Sequence, residues 1–115
     1  MTKFNQVTFA VADLEKSVAF YRDKLGLQVI RRQENPMGKF AFMGADGQVF
    51  LELIEYADPA KAASFVGFGV DDAAAVATSI TGEEPQMMQP NPQIRFCYVQ
   101  DPDGHTIQLA EHPQS

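Results

Sequence analysis

Two stretches of this 115-residue chain end almost alike, ELIE at 52–55 and QLAE at 108–111, each a few residues after an Asp-Gly turn. The first position of each stretch is where chemistry is available. Glu52 stands in a strand-like run among Phe50, Leu51, Leu53 and Ile54. A carboxyl in apolar surroundings loses hydration, which disfavours its charged form and raises its pKa. Such a group can take a proton as a general base without a metal. It can equally accept a hydrogen bond from a cationic or N–H-bearing ligand. A structural role, satisfied by Arg95 or by a side-chain amide, is the plainer alternative. Gln108, at the matching position, offers only neutral donor and acceptor atoms.

Other reactive residue types read more plainly. Met87 and Met88 lie in the proline-rich stretch EEPQMMQPNPQ. A flexible methionine pair suits adaptable apolar contact with a ligand, or simple packing on a sheet edge. His105 follows Asp-Gly and reads as an exposed turn residue. His112, near the C-terminus, reads as solvent-facing. Cys97, the single cysteine, sits between Phe96 and Tyr98 and reads as a buried small residue rather than a nucleophile. Arg31, Arg32 and Lys39 are too few to mean more than a solvated hairpin.

The elements that must position these residues follow from periodicity. In FNQVTFAVA, residues 4–12, Val7, Phe9 and Val11 share one face of a strand and Gln6, Thr8 and Ala10 the other. Asp13 can cap the helix LEKSVAFYRDKL, whose core stripe includes Leu14, Val18, Tyr21 and Leu25, and Gly26 suits its end. Strands follow at about 28–33, 38–43 and 48–55, the last two closing a hairpin around GADG. After YADPAKAAS the pattern restarts. SFVGFGV is a strand, Asp71 or Asp72 caps the helix AAAVATSI, and Gly82 ends it. The proline-rich stretch is at best a short edge strand. IRFCYVQ and HTIQLAE make a second hairpin around DPDG. The order β-α-β-β-β thus occurs twice, at a period of about 56–59 residues, which is the mark of duplication. The expected organisation is one domain over 1–115, with module one about 1–56, a linker 57–64 and module two 65–115.

Composition limits the partners. Hydrophobic residues make up 45% of the chain, with nine Phe and no Trp, and the net charge is −6. A nucleic-acid or anionic-membrane surface would need clustered Lys and Arg, so neither is expected. One cysteine permits no internal disulfide. With no signal peptide and no long apolar run, a soluble, cytoplasmic chain is expected.

At this level the residues resemble a known family. VADLEKSVAFYRDKLGLQV is similar to the opening module of the vicinal oxygen chelate superfamily, which includes glyoxalase I, bleomycin-resistance proteins, fosfomycin-resistance proteins and extradiol dioxygenases. DPDGHTIQLAE resembles its closing strand, DPDG-x-x-(I/L)-E-L. The resemblance implies an α+β fold of two tandem βαβββ modules, with curled mixed sheets forming a cupped, glyoxalase-like pocket. In metal-dependent members the ligands come from the first and last strands of each module, which here means Gln6, Glu52, Phe65 and Gln108. Phe65 has no ligating atom, and Gln108 stands where those enzymes carry a carboxylate. A set of Gln6, Glu52 and Gln108 suits Zn²⁺, Ni²⁺ or Fe²⁺ poorly, because those ions prefer imidazole, thiolate or several carboxylates.

The implied protein is therefore a metal-independent small-molecule binder of the glyoxalase/bleomycin-resistance type, with no cofactor. Its pocket would be apolar from Phe50, Phe65, Met87 and Met88, with Gln6, Glu52 and Gln108 as the convergent polar groups. The alternative is a glyoxalase-like lyase or isomerase that transfers a proton through Glu52 as the catalytic group, with a weakly bound divalent metal. Whether the chain is an enzyme stays open at this point. The resemblance also implies a homodimer, because in short members a cavity forms between modules of two chains.

Overall fold

The computed structural model describes residues 2–111, so His112 lies outside the described residues. The strands and helices run β1 (Lys3–Ala10), α1 (Leu14–Asp23), β2 (Gln28–Asn35), β3 (Gly38–Ala45), β4 (Gln48–Tyr56), β5 (Phe65–Gly69), α2 (Ala73–Thr81), β6 (Met88–Asn91), β7 (Ile94–Gln100) and β8 (Thr106–Glu111). The β-α-β-β-β order is present twice. Contacts gather residues 6–64 into one unit, and residues 65–111, with residues 2–5, into another. Among the described residues no helix is long and apolar enough to cross a membrane.

In the first unit the strand order is β2-β3-β4-β1. β1 runs parallel to β4, and the other neighbours are antiparallel. The second unit repeats this as β5-β8-β7-β6, with β5 parallel to β8. Both four-stranded arrays mix parallel and antiparallel pairing, which is the α+β architecture expected. The registers also match. Thr8 stands opposite Glu52, and Gly67 stands opposite Gln108.

Each helix is fixed at its start by two carboxylates. Asp13 and Asp72 are the N-caps, accepting from the backbone N–H of Lys16 and Ala75. Glu55 accepts from Leu14 N at 2.8 Å, and Glu111 accepts from Ala73 N at 2.7 Å. The shared final Glu of the two stretches is thus a latch from the last strand onto the first turn of the helix. Both carboxylates satisfy amides that have no partner inside the helix, and both meet its positive end. α1 stops at Asp23, earlier than Leu25. There Gly26, at φ 75°, turns the backbone so that the amides of Gly26 and Leu27 reach the carbonyls of Arg22 and Tyr21.

The helices cover one face of each sheet. Leu14 and Val18 of α1 pack on Ala41, Met43, Leu51 and Leu53. Leu53 is fully buried, and truncation to Ala there costs about 2–5 kcal/mol. Ala73 and Ala77 of α2 pack on Cys97, Val99 and Leu109. On the other face of the first sheet Phe40, Phe42 and Ile54 form a separate apolar cluster. Residues 57–64 are bound to the first unit: Ala57 N donates to Met37 O, Tyr56 Oη to Ala63 O, and Ala10 N to Ser64 Oγ.

Two bulges interrupt the alternation of faces. Between β2 and β3, Val29 pairs with Met43 but Arg31 pairs with Phe42, so Ile30 is the extra residue. Between β3 and β4, Met43 pairs with Leu51 but Gly44 pairs with Val49, so Phe50 is the extra residue. A Cβ on Gly44 would lie 1.8 Å from the Gln48 carbonyl oxygen, so only glycine fits against this second bulge.

Candidate functional site

On the first unit a single row crosses the sheet. Register places Arg31 beside Phe42, Phe42 beside Glu52, and Glu52 beside Thr8. Glu52 is only 9% exposed. Its Oε1 accepts from Thr8 Oγ1 at 2.8 Å and from Gln6 Nε2 at 2.8 Å. Gln6 Nε2 also lies 3.4 Å from Thr8 Oγ1. Both bonds fall on Oε1, and no hydrogen bond from the described residues reaches Oε2. Burial pushes the Glu52 carboxyl above its ordinary value, against the opposing pulls of the Thr8 hydroxyl, the Arg31 charge and the Gln6 amide. One oxygen is therefore clamped and the other is left to an outside donor, while burial favours the neutral form of the group.

The surroundings of Glu52 differ from expectation in three ways. Phe50 does not line its face. The bulge sends Phe50 to the helix-side cluster, and Phe40, Phe42 and Ile54 take the apolar role instead. Arg95 does not pair with Glu52, because it lies 3.5 Å from Glu111. Arg31 is more than a solvated hairpin residue: its guanidinium carbon sits 4.1 Å from the centroid of Phe42, and its charge acts on Glu52. Thr8, fully buried, is the site residue that sequence reasoning passed over. Its one signal was the face it shares with Gln6. Tyr56, on the same strand as Glu52, has its phenol pushed up by burial and donates to Ala63 O.

The second unit answers the same positions without charge. Gln108 is 8% exposed, lies between Gly67 and Tyr98 in register, and donates from Nε2 to Tyr98 Oη at 3.4 Å. The buried ring of Phe65 meets Tyr98 edge-on at 5.2 Å, and Phe96 meets it at 5.6 Å. Phe65 and Gln108 thus share one aromatic neighbour. Met87 packs half-buried against the α2-side cluster, and Met88 is exposed on β6 opposite Phe96, so the methionine pair is split between two surroundings. Cys97 is buried, and burial pushes its thiol up. His105 is exposed in its turn, with Nδ1 2.9 Å from Asp101 Oδ2. Asp101 also accepts from the amides of Asp103 and His105, which hold its carboxyl below the usual range. Asp101, Asp103 and His105 bring one ligand atom each within 4.8 Å of one another, as a tight Asp-Gly turn does.

With this geometry in place, comparison with known proteins gives the family. Residues 3–109 match the model of the Glyoxalase/Bleomycin resistance protein/Dioxygenase superfamily, and the chain belongs to it. The chain is 31% identical over 121 residues to a probable lactoylglutathione lyase of Vibrio cholerae, covering 91% of this chain and 87% of that one. It is 30% identical over 116 residues to the lactoylglutathione lyase of Salmonella typhimurium, covering 88% and 86%. Among solved structures, a methylmalonyl-CoA epimerase in complex with methylmalonyl-CoA and NH4+ superposes with a TM-score of 0.69 at 21% identity, over 99% of this chain and 96% of that one. A superfamily member from Vibrio splendidus superposes with a TM-score of 0.71 at 18% identity, over 96% and 99%. These superpositions establish the fold alone.

Proposed function

We propose that this chain is a metal-independent small-molecule-binding protein of the glyoxalase/bleomycin-resistance type, with Glu52 as the group that fixes the ligand. The observation that carries the reading is the one-sided clamp on Glu52. Thr8 and Gln6 hold Oε1, and Oε2 is left to accept from an outside donor. No fully buried side-chain oxygen among the described residues lacks a partner, so Oε2 keeps contact with solvent, and a ligand N–H or O–H can take the place of that water.

The metal that the family implies does not fit the donors present. In the first unit Gln6 turns its amide nitrogen, not its oxygen, toward Glu52, and Glu52 is the only carboxylate in the row. In the second unit the corresponding places are a phenyl ring and an amide already engaged with Tyr98. Ni²⁺ and Zn²⁺ prefer imidazole nitrogen or several anionic ligands, and neither unit supplies these at the matching places.

The second reading is a lyase or isomerase working by proton transfer through Glu52, with a weakly bound divalent metal. The raised pKa of Glu52 and the lactoylglutathione lyase relatives support it. Native mass spectrometry of freshly purified protein separates the two readings, because it reports retained ligand, metal and oligomer together. The expected result is an organic adduct without stoichiometric metal, lost in Glu52→Gln. Tight single-site binding of Ni²⁺ or Zn²⁺ to chelator-treated protein, abolished by Glu52→Ala, would overturn metal independence and favour the lyase.

A further inference from the structure

Arg31 and Arg32 are neighbours in β2 with opposite fates. The strand alternates faces, and Val29 packs on the helix side. Without interruption Arg31 would fall on that side too. The bulge at Ile30 shifts the alternation by one residue, so Arg31 joins the row of Phe42 and Glu52, and Arg32 pairs with Ala41 of the helix-side core. Arg32 then finds Glu15 of α1 through two bonds, at 2.9 and 3.2 Å. Arg31 has no carboxylate or carbonyl acceptor among the described residues. Its partner is the face of Phe42.

Stacking on a ring fixes a guanidinium in place and leaves its in-plane N–H donors available. Arg31 rises from β2 and Glu52 from β4, about 9–10 Å apart at the backbone with Phe42 on the strand between them. The guanidinium lies over that intervening ring, and its charge reaches the Glu52 carboxyl. Phe40, Phe42 and Ile54, each less than a tenth exposed, form a packed apolar cluster on the same face. Bulges beside functional sites commonly re-aim a side chain, and the bulge here delivers Arg31 to this face.

We infer that Arg31 and Glu52 form a two-point site for a small organic acid bearing a hydroxyl or N–H donor within a few bonds of its carboxylate. Arg31 takes the carboxylate through its paired N–H donors. Oε2 of Glu52 accepts from the ligand's hydroxyl or N–H. The inference rests on the proposed role of Glu52 as ligand acceptor and adds to it the charge and size of the ligand.

Three probes of matched shape test it: mandelate, which has the acid and the hydroxyl; phenylacetate, which lacks the hydroxyl; and mandelamide, which lacks the charge. Binding is measured by ligand-observed NMR titration on the parent, Arg31→Gln, Arg31→Lys and Glu52→Gln, with a thermal melt of each to confirm folding. The parent is expected to bind mandelate at least tenfold more tightly than either other probe. Arg31→Gln should lose the preference for mandelate over mandelamide. Arg31→Lys should recover part of that preference. Glu52→Gln should lose the preference for mandelate over phenylacetate. If Arg31→Gln binds mandelate as well as the parent while Glu52→Gln weakens it, the role of Arg31 is wrong and that of Glu52 stands. If mandelate and phenylacetate bind the parent alike, the reading of Glu52 fails as well. If no probe binds the folded parent, the organic-acid class is wrong.

Discussion

Replacing Glu52 with Gln should make the protein more stable at alkaline pH while removing its ligand. The amide is isosteric with the carboxyl. Its Oε1 can keep the bonds from Thr8 and Gln6, and its NH2 would take the place of Oε2, which has no partner to lose. Hydrogen bonds to a charged acceptor contribute about 1.5–3 kcal/mol each against about 1 kcal/mol for neutral ones, so the exchange forfeits some bonding. It also removes the burial of an ionised carboxylate, which costs several kcal/mol. Because the Glu52 pKa is raised, burial outweighs the bonds, and the net effect favours the amide. We expect a gain of about 1–2 kcal/mol, or about 4–8 °C in Tm. The sign depends on pH. A carboxyl whose folded pKa lies above its unfolded value stabilises fully below the unfolded pKa, and that stability is lost as pH rises through the folded pKa. Parent and variant should therefore melt together near pH 4 and separate as pH rises from about 4.3 through the folded pKa of Glu52. Thermal melts of both proteins from pH 4 to pH 9 measure the gap. A gap of constant size across that range, or a variant less stable than the parent at pH 9, would refute the reasoning.

Thr8→Val removes the hydroxyl on Oε1 and should raise the Glu52 pKa further, costing about 2 kcal/mol at neutral pH; carboxyl NMR titration reads the shift, and a lower pKa would contradict the clamp. Glu55→Ala and Glu111→Ala should each cost about 1 kcal/mol by freeing a first-turn amide of α1 or α2, and a melt within error of the parent for both would show that the latches carry no weight. We also expect a homodimer: light scattering at micromolar concentration should give twice the 12.7 kDa chain mass, and a single-chain mass counts against it.

Much of this fold was legible because its signals are local. Asp13, Asp72 and Gly82 stand where caps must stand, and the doubled order of elements follows from turn residues and alternation. The buried polar character of Glu52 was legible for the same reason, since a charge in an apolar strand has few places to go. What sequence reasoning missed lies at the two bulges. One extra residue reverses every face beyond it, and neither Ile30 nor Phe50 carries a local mark of being extra. The bulges therefore put Phe50 on the face opposite to the expected one, while Arg31, exposed as expected, gains a stack on Phe42 that its hairpin position does not announce. Thr8 was overlooked on different grounds: a threonine in a strand is ordinary, and its value comes from standing opposite Glu52 across a parallel pairing that no short-range pattern encodes.

The two carboxylate latches have a consequence for how each module assembles. Glu55 reaches 41 residues back to Leu14, and Glu111 reaches 38 residues back to Ala73. Closing a loop of that length costs about 3 kcal/mol of chain entropy. The parallel pairings β1–β4 and β5–β8 close nearly the same loops, so one closure serves both strand pairing and latch. The first turn of each helix is thereby tied to the centre of its sheet instead of fraying like a free end. Native-state hydrogen exchange should show the amides of Leu14 and Ala73 opening with the central strands, as members of one cooperative unit.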